Sequence, residues 1–347
     1  MTRSTATVLW NDSADPQELA QGLDWGVVGA TCNPVIALAC IRADLPRWSA
    51  RILELAEERP TATQNEIGWA VVEEVSIDAA RLLEPAFEAS GGINGRLSMQ
   101  TDPTLYRDAK ALADQAEHFA GLAPNIIVKI PAIEQGIAAI EDATYRGVNI
   151  NVTVSFTVSQ AVTAGEAIER GLRRREAEGL EVSTMGPVVT IMVGRLDDWM
   201  KDHAKALGVT MDPGYYEWAG VAAFKKAYQV FAERGLRSRL LSAAFRNHMH
   251  WSEFIGGDVV ISPPFGFQKL FNTSGIEATP RIHEPVGTHI VETLYEKLPD
   301  FRRAYDVDGM SVPEFIEFGA TRKTLRQFLA ANAELEALVR DVMLPAP

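Results

Sequence analysis

Eight short apolar runs recur along this chain, each bounded by Gly, Pro, Asn or Asp, and most of the intervals between them carry helical periodicity. The runs are ATVLWND, WGVVGATCNP, GRLSMQTD, NIIVKIPA, VNINVTVSF, GPVVTIMVG, RLLSAAFRN and GDVVISPPF. Between them lie stretches such as PTLYRDAKALADQAEHFAG and SQAVTAGEAIERGLRRREAE, whose apolar positions return every three or four residues, as one buried helix face requires. Strands alternating with helices imply a parallel sheet, because parallel neighbours need a long crossover between them. Two closures are open to such a sheet. A doubly wound sheet usually places a Gly-rich phosphate turn after its first strand, and ATVLWNDSADP holds no GxGxxG. The expected fold is therefore α/β, a (β/α)8 TIM barrel with extra C-terminal helices.

A length of 347 residues would suit roughly two domains at about 150 residues each, but no composition break or Ser/Gly linker divides the chain. One domain over 1–347 is expected. Two segments exceed a minimal barrel: the Arg-rich stretch from Arg170 to Thr184, and everything from Gln268 onward. Residues 311–347 read as a closing C-terminal helical segment, with helical spacing from Val312 and a stop before Pro345.

Charge narrows the partners. There are 33 Lys and Arg against 46 Asp and Glu, a net −13, which disfavours a nucleic-acid or anionic-membrane surface while leaving small anions open to local arginines. Cys32 and Cys40 are too few for a disulfide framework and lack zinc-site spacing. With no run of about 18 apolar residues and no apolar core near MTRSTATVLWND, a cytoplasmic location is expected.

Strand faces locate the chemistry. In the fifth run Ile150, Val152, Val154 and Phe156 alternate with Asn149, Asn151, Thr153 and Ser155, so one face is wholly polar. A packed barrel interior would leave such groups unpaired at about 1 to 3 kcal/mol each, so this face is expected to line a site. Lys129 inside IIVKIP, Asp12 closing the first run, and Gln100, which shares a parity with Arg96 and Ser98, gather polar groups near strand C-termini. A lysine flanked by isoleucine and valine is partly desolvated, which favours the neutral, nucleophilic amine. The competing reading is a lysine that snorkels to solvent. Asp12 reads either as a general base or, within DSADPQEL, as a helix N-cap, and on its own the cap is preferred.

Other groups have plainer readings. His248 and His250 sit where a helix follows the seventh strand, without a carboxylate at ligand spacing, so no metal is expected. Arg173, Arg174 and Arg175 lie beside Glu169, Glu176 and Glu178 as a solvated ion-paired face. Phe315, Phe318 and Phe328 suit core contacts, with a lid as the alternative, and Cys32 suits a space-filling buried thiol.

Six motifs in order resemble the transaldolases, Schiff-base enzymes on a (β/α)8 barrel: WNDSAD, GATCNP, KIPAIEQGIAAIE, NVTVSFTVSQA, VGRLDDW and AAFRN. The resemblance runs from about residue 7 to the C-terminus. It implies Lys129 as the Schiff-base nucleophile, Asp12 as the acid/base at the substrate's C4 hydroxyl, Asn33 and Asn151 as hydroxyl anchors, and Thr153 as holder of a catalytic water. Arg195 and Arg246 match the arginines that grip a sugar phosphate, and no cofactor or metal is implied. Gln100 stands where the family carries a glutamate and resembles the fructose-6-phosphate aldolase subgroup. Met192 occupies the position of that subgroup's tyrosine and the transaldolases' phenylalanine, Thr190 replaces a serine, and Ala244 replaces a phosphate-binding serine. The function implied is transfer of a dihydroxyacetone unit between a ketose phosphate and an aldose phosphate, chemistry of the pentose phosphate pathway, with a homodimer as the possible assembly. The alternatives are aldol cleavage that releases dihydroxyacetone, and a barrel that binds sugar phosphates without catalysis.

Overall fold

In a computed structural model, which describes residues 1–2 and 4–346, eight parallel strands close into a barrel in simple sequence order. They are β1 (Val8–Asn11), β2 (Val27–Thr31), β3 (Arg96–Gln100), β4 (Ile126–Pro131), β5 (Ile150–Thr153), β6 (Val188–Ile191), β7 (Arg239–Ala243) and β8 (Val259–Ser262), with Val8 paired to Val260 at the closure. The helices are α1 (Pro16–Asp24), α2 (Pro34–Ala43), α3 (Leu45–Glu58), α4 (Gln64–Ala89), α5 (Ala109–Ala120), α6 (Glu134–Tyr145) and α7 (Val158–Ala177). After β6 come α8 (Val193–Leu207), α9 (Ala219–Arg234), α10 (Met249–Ser252), α11 (Phe265–Thr273), α12 (Thr288–Lys297), α13 (Pro299–Tyr305) and α14 (Gly319–Met343). The (β/α)8 expectation is met. Among the described residues no helix is long and apolar enough to cross a membrane.

Surplus chain lies partly elsewhere than the sequence suggested. Arg170 to Ala177 is simply the end of α7, whereas the connection from β2 to β3 carries α2, α3 and the 26-residue α4. That block escaped notice because α4 is apolar nearly all round, with Ile67, Trp69, Val71, Val72, Val75 and Ala79 buried, so no single-faced period marks it. Its start is fixed by a capping box, in which Thr63 and Glu66 satisfy each other's backbone N–H groups. The closing segment is a short 3₁₀ turn, Val312–Ile316, followed by α14.

Inside the ring Trp10, Ile127, Val188, Leu241 and Val260 form an apolar plug beneath the strand C-termini. The Trp10 indole lies so close to Gly29 that a Cβ there would stand 2.5 Å from Nε1, so any larger residue would displace the plug. Above the plug the register places Gln100 beside Lys129 and Lys129 beside Asn151, with Pro131 beside Thr153. Polar side chains thus take over the interior in the last strand positions. Helix α14 packs on α4 with Leu335 and Val339 against Gly68, and Trp69 Nε1 donates to Asn332 Oδ1 at 3.1 Å.

Candidate active site

At the C-terminal end of the strands lies a cavity of about 150 Å³, the end at which barrels of this kind place their chemistry. Larger hollows exist outside, such as one of about 450 Å³ between α9 and residues 282–286, which is walled by helix and loop residues without any strand-borne group. Size therefore does not locate the chemistry here. Asp12, Asn33, Gln100, Lys129, Thr153, Thr190, Met192, Arg195 and Arg246 all line the inner cavity.

Lys129 is 6% exposed and points into this space, so the snorkelling alternative does not describe it. Burial holds its pKa below the usual lysine value, while Asp12 and the Cys32 thiol pull the other way. Cys32 itself is pushed up to about 11 by burial, which leaves a neutral thiol filling space behind the lysine.

Asp12 does not cap the first helix. Asp15 does, accepting from the N–H groups of Gln17 and Glu18, which frees Asp12 to face the cavity and accept a 2.5 Å hydrogen bond from Thr31 Oγ1. The cap was assigned to the wrong aspartate because DSAD offers two candidates before Pro16, and only the second stands next to helix position one. Asn33 caps α2, its Oδ1 accepting from Val35 and Ile36, so its Nδ2 group is what remains for a ligand.

Asn151 is placed differently from its neighbours. Its Nδ2 donates to Ser98 Oγ at 2.9 Å and its Oδ1 accepts from Thr190 Oγ1 at 2.8 Å, which sets it below the cavity wall and makes it the support of Thr190. Gln100 keeps a buried Oε1 without a partner among the described residues. Thr153 ends β5 at the wall, and the next residue, Val154, holds φ +50°, an unfavourable conformation for a β-branched side chain. Gln160 supports that corner through its Nε2, which donates to the carbonyls of Ala132 and Val154.

Opposite the lysine, the cavity ends in two guanidinium groups. Arg195 sits in the first turn of α8, whose N-terminus has no side-chain cap, so amide N–H groups and the helix dipole face the same space as the arginine. Arg195 Nη1 donates to Thr324 Oγ1 at 3.1 Å and Gln327 Oε1 at 2.7 Å, both on α14, and the group lies over the Phe328 ring. Burial lowers its pKa first, and the nearby Arg246 adds to that. Arg246 Nε and Nη2 reach Asp198 at 2.9 and 2.8 Å, and Nη1 donates to the carbonyls of Ala244 and Phe245. Ala244, at φ +62°, lines the cavity between them.

Several contributors went unrecognised in the sequence. Thr31, the donor to Asp12, stands two residues before Asn33 in GATCNP and could have been found by strand parity. Phe328 is buried yet forms part of the cavity roof, while Phe315 and Phe318 are fully buried core. His250 is buried against Asp197 at 2.8 Å, and His248 is exposed. The arginine run is a solvated face with other partners than expected: Arg174 meets Glu141 and the Tyr145 ring, whereas Glu169 and Glu176 bind Arg237.

A sequence profile described as transaldolase/fructose-6-phosphate aldolase matches residues 9–336. A transaldolase of Kocuria rhizophila is 31% identical over 233 residues, covering 65% of this chain and 62% of that protein. One of Thiobacillus denitrificans is 30% identical over 233 residues, covering 65% and 64%. A third, of Mycobacterium marinum, is 30% identical over 276 residues, covering 79% and 70%. The first two matches thus span less than two thirds of the relatives' own length.

Proposed function

Because the chain belongs to the transaldolase/fructose-6-phosphate aldolase family, we propose that it transfers a dihydroxyacetone unit from a ketose phosphate to an aldose phosphate through a Schiff base on Lys129. The observation that carries this reading is a buried amine, its pKa held below the usual lysine value by desolvation, facing a cavity that two arginines also line.

The reaction follows from these groups. The Lys129 amine adds to the C2 carbonyl, and the carbinolamine loses water to give an iminium. Asp12 takes the C4 hydroxyl proton as the C3–C4 bond breaks; the aldose phosphate leaves and the electron pair passes into the enamine. The enamine carbon then attacks an acceptor aldehyde, Asp12 returns its proton to the new alkoxide, and water hydrolyses the iminium to free the product ketose and the lysine. Gln100 cannot take up a proton as a carboxylate does, so the proton for dehydration travels on a water held by Thr153 and the Gln100 carbonyl. Asn33 and Thr190 bind substrate hydroxyls, with Asn151 holding Thr190. Arg195 and Arg246 bind the phosphate through forked N–H groups, and Met192 and Phe328 exclude water around the chain of the sugar. All these groups come from one copy, working as a single domain, and the reading places the protein in the cytoplasm.

The amide at position 100 favours a second reading, in which the enamine carbon takes a proton and water hydrolyses the resulting iminium, freeing dihydroxyacetone and the lysine. Coupled assays separate the two. Transfer predicts aldose phosphate formation that depends on an added acceptor aldehyde, whereas cleavage predicts formation without one. Borohydride reduction in the presence of fructose 6-phosphate tests both: a mass increase on the peptide containing Lys129 is expected. No increase would leave only a barrel that binds sugar phosphates.

A further inference from the structure

The two arginines stand on different elements, one on α8 and the other on the loop after β7, and a bidentate grip on one anion requires their separation to be fixed. Asp197, two residues after Arg195, and His250, four after Arg246, are both fully buried and meet at 2.8 Å. The other carboxylate oxygen of Asp197 accepts from the Gly220 N–H at 2.7 Å. His250 Nδ1 accepts the Arg246 backbone N–H at 3.0 Å, so the ring proton is assigned to Nε2, facing Asp197. Each polar atom of the pair is therefore committed.

We propose that the Asp197–His250 pair is a latch that sets the position of Arg246 relative to Arg195, which makes both residues positioning residues for the anionic end of the substrate. The inference rests on the sugar-phosphate reading above. Close packing supports it independently: a Cβ on Gly194 would stand 2.0 Å from the Ala244 carbonyl oxygen, 2.8 Å from Arg246 Cγ and 3.1 Å from His250 Cε1, so the first turn of α8 lies directly against the loop that carries Arg246. With Nδ1 accepting, the contact between Nε2 and Asp197 is a hydrogen bond rather than an ion pair, so what the pair adds is geometry.

His250→Gln keeps a donor at the Nε2 position for Asp197 and removes the acceptor for the Arg246 N–H. Asp197→Asn turns a donor toward His250, which drives the ring proton to Nδ1 and against that same N–H. The expected result for His250→Gln is a KM for fructose 6-phosphate about tenfold higher, the worth of one lost backbone hydrogen bond, and a larger rise for Asp197→Asn. Borohydride trapping of dihydroxyacetone on Lys129, which involves no phosphate, should proceed at the wild-type rate, and His250→Gln should add nothing further in an Arg246→Ala background. Calorimetric titration with inorganic phosphate reads the same end without any reaction, and its Kd should rise about tenfold in His250→Gln. Unchanged phosphate affinity, or equal losses with phosphorylated and unphosphorylated substrates, would overturn the latch. If Asp197→Asn does not fold, His250→Gln decides alone. A wild-type protein that binds phosphate but traps no ketose would end the Schiff-base reading and leave the latch standing.

Discussion

At one end of the cavity Lys129 is buried with no hydrogen-bonding partner for its amine among the described residues, whereas at the other end Arg195 and Arg246 are held by Thr324, Gln327, Asp198 and two backbone carbonyls. Burial lowers the pKa of both Lys129 and Arg195, while Arg246 stays exposed, and what separates the two ends is the partners each group receives. The lysine receives desolvation that nearby Asp12 opposes without overcoming, so its pKa falls and its lone pair becomes more available. Each guanidinium receives hydrogen-bond acceptors that fix where its remaining N–H groups point. Reactivity and affinity thus come from one interior by giving or withholding partners.

The contrast can be broken most severely at the amine. Lys129→Met should abolish the borohydride-trapped adduct and lower turnover by more than about a thousandfold. It should also raise the unfolding midpoint at neutral pH. The native amine titrates below the unfolded value of 10.5, so in the interval between the two the unfolded chain binds more protons and wild-type stability increases with pH. The advantage of the methionine variant should therefore shrink in calorimetric scans as pH approaches 10.5. A variant less stable than wild type at pH 7 would contradict this account of the lysine.

At the opposite end, Arg195→Ala and Arg246→Ala should each raise the KM for a phosphorylated ketose about a hundredfold. Iminium trapping with unphosphorylated dihydroxyacetone should be little altered. A next smaller effect lies in pH dependence. Asp12 raises the pKa of Lys129, so Asp12→Asn should move the acid limb of iminium trapping to lower pH. A shift in the alkaline direction would contradict the assignment of Asp12 as a group that raises the lysine pKa. Smallest, Gln327→Ala removes one of the Arg195 partners and should raise the same KM about fivefold, equivalent to about 1 kcal/mol.

Much of the barrel was readable because its strands are short apolar runs between turn residues, and the polar face of β5 revealed an interior that is not all core. What could not be read was pairing. Asn151 and Thr153 share one strand face, yet only the folded barrel shows that Asn151 is consumed by Ser98 on β3 and Thr190 on β6. Asp15 and Asp12 are equivalent as letters and differ only in where the helix begins. The Asp197–His250 contact joins residues 53 apart and carries no periodic signature. Helices α2 and α3 escaped because a two-period search for strands and amphipathic helices does not ask how many helices one crossover contains.

Helix α14 supplies Thr324, Gln327 and Phe328 to a cavity otherwise assembled from strand ends. During synthesis on the ribosome, all eight strands emerge before this helix does, so the ring can close and bury Lys129 while the roof is still inside the exit tunnel. A nascent chain at that stage would own its reactive amine but lack the clamp that orients Arg195, so competence for phosphorylated substrates would follow closure of the ring rather than accompany it.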